Sequence, residues 1–351
     1  MHCGVAGESV LLTGAGGSLG SALAKAIIQL EPRQLILLDH SERNLHEIDS
    51  ELTVVLPGVP LTSVLGDICD ADLLSEIFDR YRPEIVYHAA AFKHVPLMEN
   101  NPLAAVRNNT LGTNTLAKIS RIAGVRAFVM VSTDKAVNPI SIMGASKRVA
   151  ELALLRWGGS TNQMRALRLG NILASVGSVV PTFLRQISRG GPVTVTHAEV
   201  SRYFHTMSEA VELVLLTSRV ELGGGIFIPR LGAPIRILDM ARQLVLDSQS
   251  QSKSAREIPV TFTGLRPGDK MSEEFLFANE SVEPTSDRSL LQVSTTEIPS
   301  EKFDAYIESL SRSVEQRNLP VMLEVLCQIL PEYRPTEALA WSRQGSTVLL
   351  E

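Results

Sequence analysis

The sequence predicts an α/β protein built on a doubly wound parallel sheet, and three observations favour this fold class. Apolar runs of strand length recur through the first half of the chain, with segments of helical periodicity between them. These runs are apolar nearly throughout, as in strands whose two faces are both covered by helices. The first run ends in a glycine-rich turn that leads into a helix-like segment. Strands and helices that alternate in this way specify a parallel sheet with helices on both faces.

The predicted elements follow one another in chain order without an internal repeat. The strands of the first half are SVLLTG (9–14), LILLD (35–39), VLGDI (64–68), EIVYHAAA (84–91) and AFVMVST (127–133). Further on, RALRLG (165–170) predicts a strand, and GGPVTVTH (190–197) predicts a turn followed by a strand. Residues 301–330 predict two helices, and the last residues, 336–351, carry no clear signal.

The turn after the first strand, TGAGGSLG (13–20), has the glycine spacing of a dinucleotide-binding turn. Its glycines permit a tight turn, close approach of the backbone to a pyrophosphate and close packing of helix on strand. The N–H groups that begin the next helix would then face the phosphates. The candidate cofactor contacts in this turn are Thr13, Gly14, Gly16, Gly17, Ser18, Leu19 and Gly20.

Glycine-rich turns also serve as plain connections, so the context of this one matters. A strand precedes it, a helix follows it, and Asp39 ends the next strand. An acid at that place can bind both ribose hydroxyls and would repel a 2′-phosphate, which favours NAD over NADP. Arg43 lies close by in the chain and leaves NADP open.

The ends of the third and fourth strands supply further candidate cofactor contacts. Asp67 could accept a hydrogen bond from the adenine amino group, or it could simply form a turn. Ile68 follows it, and Ala89, Ala90 and Ala91 end the fourth strand.

The composition is that of a globular enzyme. Apolar residues make up 44% of the chain and charged residues 20%, which is too apolar for a disordered protein. The net charge of −5 gives no general attraction to nucleic acid. Cys3, Cys69 and Cys327 are too widely spaced for a metal site or a disulfide framework, so a reducing compartment is favoured. No apolar run approaches the roughly 18 residues of a membrane span, and the start lacks a signal-peptide pattern, so we expect a cytoplasmic chain without a membrane segment.

Several longer stretches resemble one family. They are HAAAFKHVPLME (88–99), NNTLGTNTLA (108–117), VSTDKAVNPISIMGASKRVAE (131–151), RLGNILASVGSVVPTFLRQISRGGPVTVTHAEVSRYF (168–204) and TGLRPGDKMSEE (263–274). Together they resemble the CapD-like polysaccharide-biosynthesis family of extended short-chain dehydrogenases/reductases, from about residue 8 to residue 335. The resemblance implies a Rossmann fold, a homo-oligomer, and a UDP-N-acetylglucosamine 4,6-dehydratase or a close relative. Some family members carry an N-terminal membrane region, so this chain is expected to be a short form or an excised catalytic domain.

A 4,6-dehydratase oxidises sugar C4, removes the C5 proton and the C6 hydroxyl as water, and returns hydride to C6. Thr133, Asp134 and Lys135 lie at the end of a predicted strand, where parallel sheets bind ligands. By resemblance, Asp134 is the acid for the C6 hydroxyl and Lys135 is the base at C5. Lys135 would then need a lowered pKa, from burial or from a cation such as Lys147. An adjacent Asp and Lys on a loop are otherwise ordinary solvated charges.

The segment lacks the tyrosine that such enzymes usually carry four residues before the lysine. Met143 stands there instead, on the same helix face as Lys147, and a thioether cannot titrate. Lys147 would bind the nicotinamide ribose, unless it is a plain surface lysine. The C4 hydroxyl proton must go to Thr133, to Ser132 or to a bound water, and the resemblance favours Thr133. Tyr203 is the only tyrosine placed to substitute.

Five residues are candidate substrate contacts, each with a plainer alternative. Lys93 and His94 follow the fourth strand in a loop that the resemblance places over the sugar, although a histidine there can also be structural. Asn171 matches a substrate-phosphate contact of the family. Arg202 and Arg266 suit the UDP diphosphate, since a guanidinium binds phosphate through two donors; singly, each could be a surface ion-pair residue.

The sequence therefore predicts a cofactor domain over residues 8–170 that also receives about 205–240, a nucleotide-sugar region over 171–204 and 241–336, and a tail over 337–351. The predicted function is an NAD-dependent UDP-N-acetylglucosamine 4,6-dehydratase. A C4 epimerase would need no C5/C6 acid–base pair, and a non-catalytic NAD sensor would explain Met143. Family members with Met at this position tend to retain the C5 configuration.

Overall fold

One large sheet organises the protein, whose computed structural model describes residues 4–55, 58–158, 163–221, 223–252, 258–294 and 300–343. The strands of these residues, numbered in chain order, are β1 (Ser9–Thr13), β2 (Gln34–Asp39), β3 (Leu61–Leu65), β4 (Ile85–His88), β5 (Ala127–Thr133), β6 (Gln163–Leu169), β7 (Asn171–Ile172), β8 (Val193–Val195), β9 (Ser201–Arg202), β10 (Phe204–His205), β11 (Gly225–Pro229), β12 (Ile235–Arg236), β13 (Val260–Phe262), β14 (Val282–Pro284) and β15 (Leu290–Val293).

The sheet has nine described strands in the order β14-β15-β11-β6-β5-β4-β1-β2-β3. Within this order, each strand from β11 through β6, β5, β4, β1 and β2 to β3 pairs in parallel with the next. Strand β15 pairs antiparallel with both β11 and β14. The predicted doubly wound parallel sheet is therefore confirmed. The third strand lies about three residues earlier than predicted, because Asp70 already caps the next helix and accepts a hydrogen bond from Leu73 N. Asp67 and Ile68 consequently lie in the loop after β3.

The helices connect and cover these strands. They are α1 (Ser18–Ile28), α2 (Glu42–Val55), α3 (Ala71–Tyr81), α4 (Val95–Glu99), α5 (Pro102–Ala105), α6 (Thr113–Ile122), α7 (Ile142–Gly158), α8 (Val179–Ser188), α9 (Met207–Thr217), α10 (Ile237–Ser252), α11 (Ser300–Glu315), α12 (Leu319–Ile329) and α13 (Glu337–Arg343). A π-helical segment, Val106–Gly112, joins α5 to α6, and a 3₁₀ turn, Asp134–Ala136, follows β5. Among the described helices, none is both long and apolar enough to span a membrane.

Successive side chains of the central strands are buried on opposite faces of the sheet. Val10 and Leu12 of β1 lie in a cluster with residues of α1, α2 and α9, whereas Leu11 lies in another with residues of α3, α6 and α7. All three leucine or valine side chains are fully buried. Burying such a side chain contributes about 1.5–3 kcal/mol, so both layers are needed to hold the sheet.

Two further units lie beside the sheet. Strands β8 and β13 pair in parallel and pack with α8 and α10 around an apolar cluster that includes Phe183 and Val195. Helices α11 and α12, separated at Asn318, pack with α7 around a cluster that includes Phe303 and Met322.

The structure differs from the sequence prediction at the C-terminal end. Helix α13 lies in the range expected to carry no element, because buried Leu339 anchors it to the cluster around α12. Residues 344–351 of the predicted tail lie outside the described residues. Strand β11, within 205–240, belongs to the main sheet, and so do β14 and β15, which lie within the range assigned to the sugar-binding region.

Candidate active site

The glycine turn after β1 packs closely against two neighbouring segments. Gly14 has φ +69°, and a Cβ added to it would lie 2.6 Å from Ala90 N. A Cβ on Gly16 would lie 2.5 Å from the Cβ of Asn44. Only glycine satisfies both the backbone angle and the space at Gly14.

The start of α1 fits the phosphates of a dinucleotide. Gly17 precedes the helix and provides no side-chain cap, so the first N–H groups of α1 lack that partner. Ser18 accepts a hydrogen bond from Val176 N across 3.1 Å, which brings the loop after β7 over the turn. The half-buried Ala89, Ala90 and Ala91 follow β4 beside this turn, and Ala89 N donates to Thr13 O.

Asp39 faces the glycine turn from the end of β2. Its Oδ2 accepts a hydrogen bond from Gly16 N and its Oδ1 from Ser41 N, each across 2.9 Å. Arg43 is directed elsewhere, since its side chain is 85% exposed and ion-paired with Glu47. The carboxylate is thus fixed beside the glycine turn, and His40 Nδ1 lies 3.8 Å from its Oδ1.

Asp67 has the geometry of a turn-forming residue. Its Oδ1 accepts from Cys69 N across 2.9 Å, and its Oδ2 lies 3.6 Å from Arg107 Nη2. Ile68 is buried beside it. The predicted adenine contact of Asp67 stays a prediction.

Thr133, Asp134 and Lys135 lie where β5 passes into a 3₁₀ turn. The Asp134 side chain is fully buried. Its Oδ1 accepts hydrogen bonds from Thr133 Oγ1 and from Lys135 Nζ, each across 2.9 Å. Its Oδ2 has no hydrogen-bond partner within the described protein. The two oxygens of this carboxylate therefore lie in different surroundings, one hydrogen-bonded to the protein and the other not.

Lys135 is surrounded by acceptors. Besides Asp134, its Nζ lies 3.3 Å from Asn171 Oδ1 and 3.4 Å from Glu273 Oε1. Burial alone would lower the pKa of Lys135, but the carboxylates of Asp134 and Glu273 outweigh it and raise the pKa above its ordinary value. The expectation that this lysine has a lowered pKa is thus wrong for the ligand-free protein.

Met143 and Lys147 lie on α7, where both side chains are buried. The start of α7 packs against the 3₁₀ turn Asp134–Ala136, which we call the catalytic turn, since a Cβ on Gly144 would overlap the backbone oxygen of Lys135. Burial lowers the pKa of Lys147 to about 8, and Glu151 only partly opposes this. Among the described residues, none makes a hydrogen bond or ion pair with Lys147 Nζ.

Two of the alternatives for the C4 hydroxyl proton are disfavoured by the geometry. Ser132 is buried and donates its hydroxyl to Glu151 Oε1 across 2.6 Å. Tyr203 packs its ring edge-on against Phe275, and its carbonyl accepts from Asn171 N. Thr133 is only half-buried, and its hydroxyl is the one that donates to Asp134.

Arg202 does not offer its guanidinium freely. Its side chain is buried, and it donates to the carbonyls of Ser201, Lys270 and Met271. Its Nε lies 3.6 Å from Glu273 Oε1. Arg202 therefore braces the segment that carries Glu273 against the catalytic turn, instead of presenting a diphosphate clamp as the sequence predicted.

The remaining predicted substrate residues are not joined to this cluster. Arg266 is exposed and pairs with Asp269, Nε to Oδ2, across 2.8 Å. Lys93 is exposed, and partial burial of its amine lowers its pKa. His94 lies against the loop at Gly177, and its pKa is lowered by burial and by Lys93.

Three residues near Lys135 are absent from the sequence predictions. Glu273 is buried, and its Oε2 has no hydrogen-bond partner in the described protein. Lys270 Nζ lies 4.0 Å from that oxygen and donates to Val137 O. His205 of β10 is buried with an unpartnered Nε2. The charges of GDKMSEE (268–274) were visible in the sequence, whereas His205 gave no signal.

The comparisons agree with this fold. Residues 10–295 match the family model described as "Polysaccharide biosynthesis protein". The chain is 43% identical over 278 residues to the probable polysaccharide biosynthesis protein EpsC of Bacillus subtilis, covering 79% of this chain and 46% of EpsC. It thus spans about half the length of that relative.

Two other relatives have names that specify reactions. The chain is 29% identical over 280 residues to a UDP-N-acetylglucosamine 4,6-dehydratase (inverting) of Campylobacter jejuni, covering 78% of this chain and 79% of the enzyme. It is also 29% identical over 283 residues to a UDP-glucose 4-epimerase of Rickettsia rickettsii, with the same coverage of 78% and 79%.

Solved structures share the Rossmann-type fold. Pen from Bacillus thuringiensis aligns with a TM-score of 0.74 at 25% identity, covering 88% of this chain and 98% of Pen. WbmG of Bordetella bronchiseptica, in complex with NAD and UDP, aligns with a TM-score of 0.62 at 24% identity, covering 76% and 84%.

Proposed function

Because the chain belongs to the polysaccharide biosynthesis protein family, with its extended short-chain dehydrogenase/reductase fold, we propose that it is an NAD-dependent 4,6-dehydratase of UDP-N-acetylglucosamine. The observation that supports this most is the ion pair between half-buried Lys135 and fully buried Asp134, whose Oδ2 has no partner within the described protein. A dehydratase needs an acid and a base side by side at C6 and C5, and this pair supplies both.

The cofactor would be held by the glycine turn, by Asp39 and by Lys147. When bound, NAD would accept hydride from sugar C4 and return it to C6. The Asp39 carboxylate at Gly16, with Arg43 paired to Glu47 instead, favours NAD over NADP. Lys147, buried and unpaired, would bind the nicotinamide ribose and place its charge near the ring.

The missing tyrosine is replaced by a relay through Thr133. Its hydroxyl takes the proton of the C4 hydroxyl while it donates its own proton to Asp134 Oδ1, with which it already shares a hydrogen bond of 2.9 Å. Asp134 is then a carboxylic acid, and rotation of its carboxyl group turns the protonated oxygen away from Thr133 and towards the substrate. The proton lost at C4 is the proton that later leaves in the water molecule, so no external acid is consumed.

Lys135 performs the second half of the exchange. As the free amine it takes the C5 proton; the C5–H electrons form a C5–C6 double bond, and the C6 oxygen leaves as water with the proton from Asp134. Lys135 afterwards returns its proton to C5. The carboxylates of Asp134 and Glu273 both raise the pKa of Lys135. Protonation of Asp134 removes one of these two negative charges, so it lowers the pKa of Lys135 and favours the free amine.

The remaining predictions complete the proposal. Residues 171–204 and 241–336 would bind the nucleotide sugar, with Lys93, His94, Asn171 and Arg266 as contacts, and C5 would keep its configuration. The related UDP-glucose 4-epimerase makes C4 epimerisation the second candidate. C4 epimerisation needs no base at C5, so Lys135 and the carboxylates around it would have no function in that reaction. A non-catalytic NAD sensor would not use these residues either.

The test is to incubate the protein with UDP-N-acetylglucosamine in D2O and to follow the sugar by NMR. A 4-keto-6-deoxy product with deuterium at C5 is expected, and the ring couplings report the configuration at C5. A UDP-N-acetylgalactosamine product, or no product, would refute the dehydratase. Lys135→Ala should abolish product formation while NAD binding persists.

A further inference from the structure

Three buried polar atoms around the turn that follows β5 have no hydrogen-bond partner within the described protein. They are Asp134 Oδ2, His205 Nε2 and Glu273 Oε2, of which the last lies 4.0 Å from the ammonium of Lys270. Asp134 is fully buried, and His205 is only 9% exposed. Buried polar atoms are almost always hydrogen-bonded, since leaving one unpaired destabilises the fold. Asp134 Oδ2 and His205 Nε2 are therefore candidate contacts for a ligand.

The backbone of His205 is held on both sides. Strand β10 pairs in parallel with β7, and His205 O accepts a hydrogen bond from Leu173 N across 2.8 Å. Thr206, the next residue, caps α9 through a reciprocal pair of hydrogen bonds with Glu209. The backbone of His205 is therefore fixed between its pairing with β7 and the start of α9.

The same strand pair brings the backbone of His205, which pairs with Ile172, beside the segment that contacts Lys135. Asn171 begins β7, beside β10, and its Oδ1 lies 3.3 Å from Lys135 Nζ. Asp134 is close enough to His205 for its carboxylate to influence the imidazole. Burial lowers the pKa of His205, and the carboxylates of Glu209 and Asp134 only partly oppose this, so the ring is neutral near pH 7.

We propose that His205 is a further substrate-contacting residue, which together with Asp134 Oδ2 brackets the hydroxyl that leaves sugar C6. This inference rests on the proposed dehydratase function. Protonated Asp134 donates to the hydroxyl oxygen, and the hydroxyl proton is donated to His205 Nε2, so that a single group satisfies both unpartnered atoms. His205 orients the leaving group and keeps its own protonation state.

The step is balanced without a proton on His205. The C6–O bond breaks with its electron pair on oxygen, Asp134 supplies the proton, and water forms. The C5 proton goes to Lys135, and the C5 electron pair becomes the C5–C6 double bond. Water remains between Asp134 and His205 until it is released.

A substrate whose leaving group needs no proton isolates this role. In UDP-6-fluoro-6-deoxy-N-acetylglucosamine the C6–F bond breaks and fluoride departs as the anion. With the natural substrate, His205→Leu should lower kcat about tenfold, the scale of one lost hydrogen bond. With the fluoro substrate, measured by fluoride release, the same variant should stay within about twofold of the unmodified protein. His205→Gln, whose amide reaches near the Nε2 position, should recover most of the natural activity.

Controls separate this role from folding and from the function itself. His46→Leu, at an exposed histidine of α2, should match the unmodified protein with both substrates. Thermal unfolding and NAD binding of His205→Leu should stay close to those of the unmodified protein. An equal loss on both substrates, or no loss on either, would overturn the assignment of His205. Failure of the unmodified protein to form product from either substrate would instead refute the dehydratase.

Discussion

The hydroxyl of Thr133 donates to Oδ1 of Asp134 across 2.9 Å, while Oδ2 of the same carboxyl has no partner within the described protein. The two oxygens therefore have different tasks in the proposed reaction. Oδ1 receives the proton from the C4 side, and rotation of the carboxyl group then presents this proton at the place of Oδ2, on the C6 side. This relationship gives a chain that has Met143 in the tyrosine position a route for the C4 hydroxyl proton.

Removing the Thr133 hydroxyl should stop this relay. Thr133→Val is expected to lower kcat about 100-fold or more, the scale of general acid–base assistance, whereas Thr133→Ser should keep most of the activity. Ser132→Ala is the matched control, because Ser132 donates to Glu151 and takes no part in the relay. Product formation by NMR is the measurement. Equal activities of Thr133→Val and Ser132→Ala would contradict the relay.

Glu273 should set the pH at which Lys135 becomes a base. Its carboxylate lies 3.4 Å from Lys135 Nζ and contributes to the raised pKa of that lysine. Lys135 acts as the free amine, so the rising limb of kcat/KM with pH should move to lower pH in Glu273→Gln. Glu274→Gln removes a charge that is hydrogen-bonded to Asn138 instead, and its profile should be unchanged. A profile of Glu273→Gln that does not move would exclude this influence.

Lys147 should destabilise the protein when no cofactor is bound. Its folded pKa of about 8 lies below the ordinary 10.5, so the unfolded chain binds more protons between these values, and stability should rise with pH through that window. Lys147→Met should raise the free energy of unfolding at pH 7 by up to about 3 kcal/mol and should flatten this rise. Denaturant unfolding at pH 7 and near pH 10 is the measurement. Lys118→Met, at an exposed lysine, should do neither.

Asp39 should determine the choice between NAD and NADP. Replacement of its carboxylate by an amide, Asp39→Asn, removes the repulsion of a 2′-phosphate and should reduce the preference for NAD by about tenfold or more. Titration calorimetry with each cofactor measures this. Arg43→Ala should leave both affinities nearly unchanged, because Arg43 pairs with Glu47. A large loss of NADP binding in Arg43→Ala would show that Arg43 reaches the phosphate.

Glu151 of α7 should stabilise the packing of this helix against β5. Its fully buried carboxylate accepts from Ser132 and pairs with Arg148 and Arg168. Glu151→Gln removes a carboxylate that is paired with the buried guanidinium of Arg168. We expect it to lower the free energy of unfolding by about 3–5 kcal/mol. Glu47→Gln, which removes the exposed partner of Arg43, should cost less than about 1 kcal/mol. Similar losses in the two variants would contradict the role of burial.

The fold could be predicted because its signals are local. The apolar runs and the glycine turn each lie within a few residues, and they specify strands, a helix start and parallel order. The triplet Thr133–Asp134–Lys135 could be proposed as a site because its members are adjacent in the chain, inside a segment that resembles the family. Its partners could not be found in this way, since Glu273 and His205 come from segments far away in sequence. Arg202 shows the same limit: its residue type suggests a phosphate ligand, but the carbonyls around it are supplied by the 270–271 segment.

Helix α7 carries Lys147 on one side and packs against α11 and α12 near the end of the chain. During synthesis those two helices leave the ribosome long after α7, so the nascent catalytic half carries an uncovered apolar helix for more than a hundred residues of elongation. Completion of the active site therefore waits for the last part of the chain to emerge. A chain that stops short of α11 would keep every proposed catalytic residue and still present a surface that chaperones and proteases recognise.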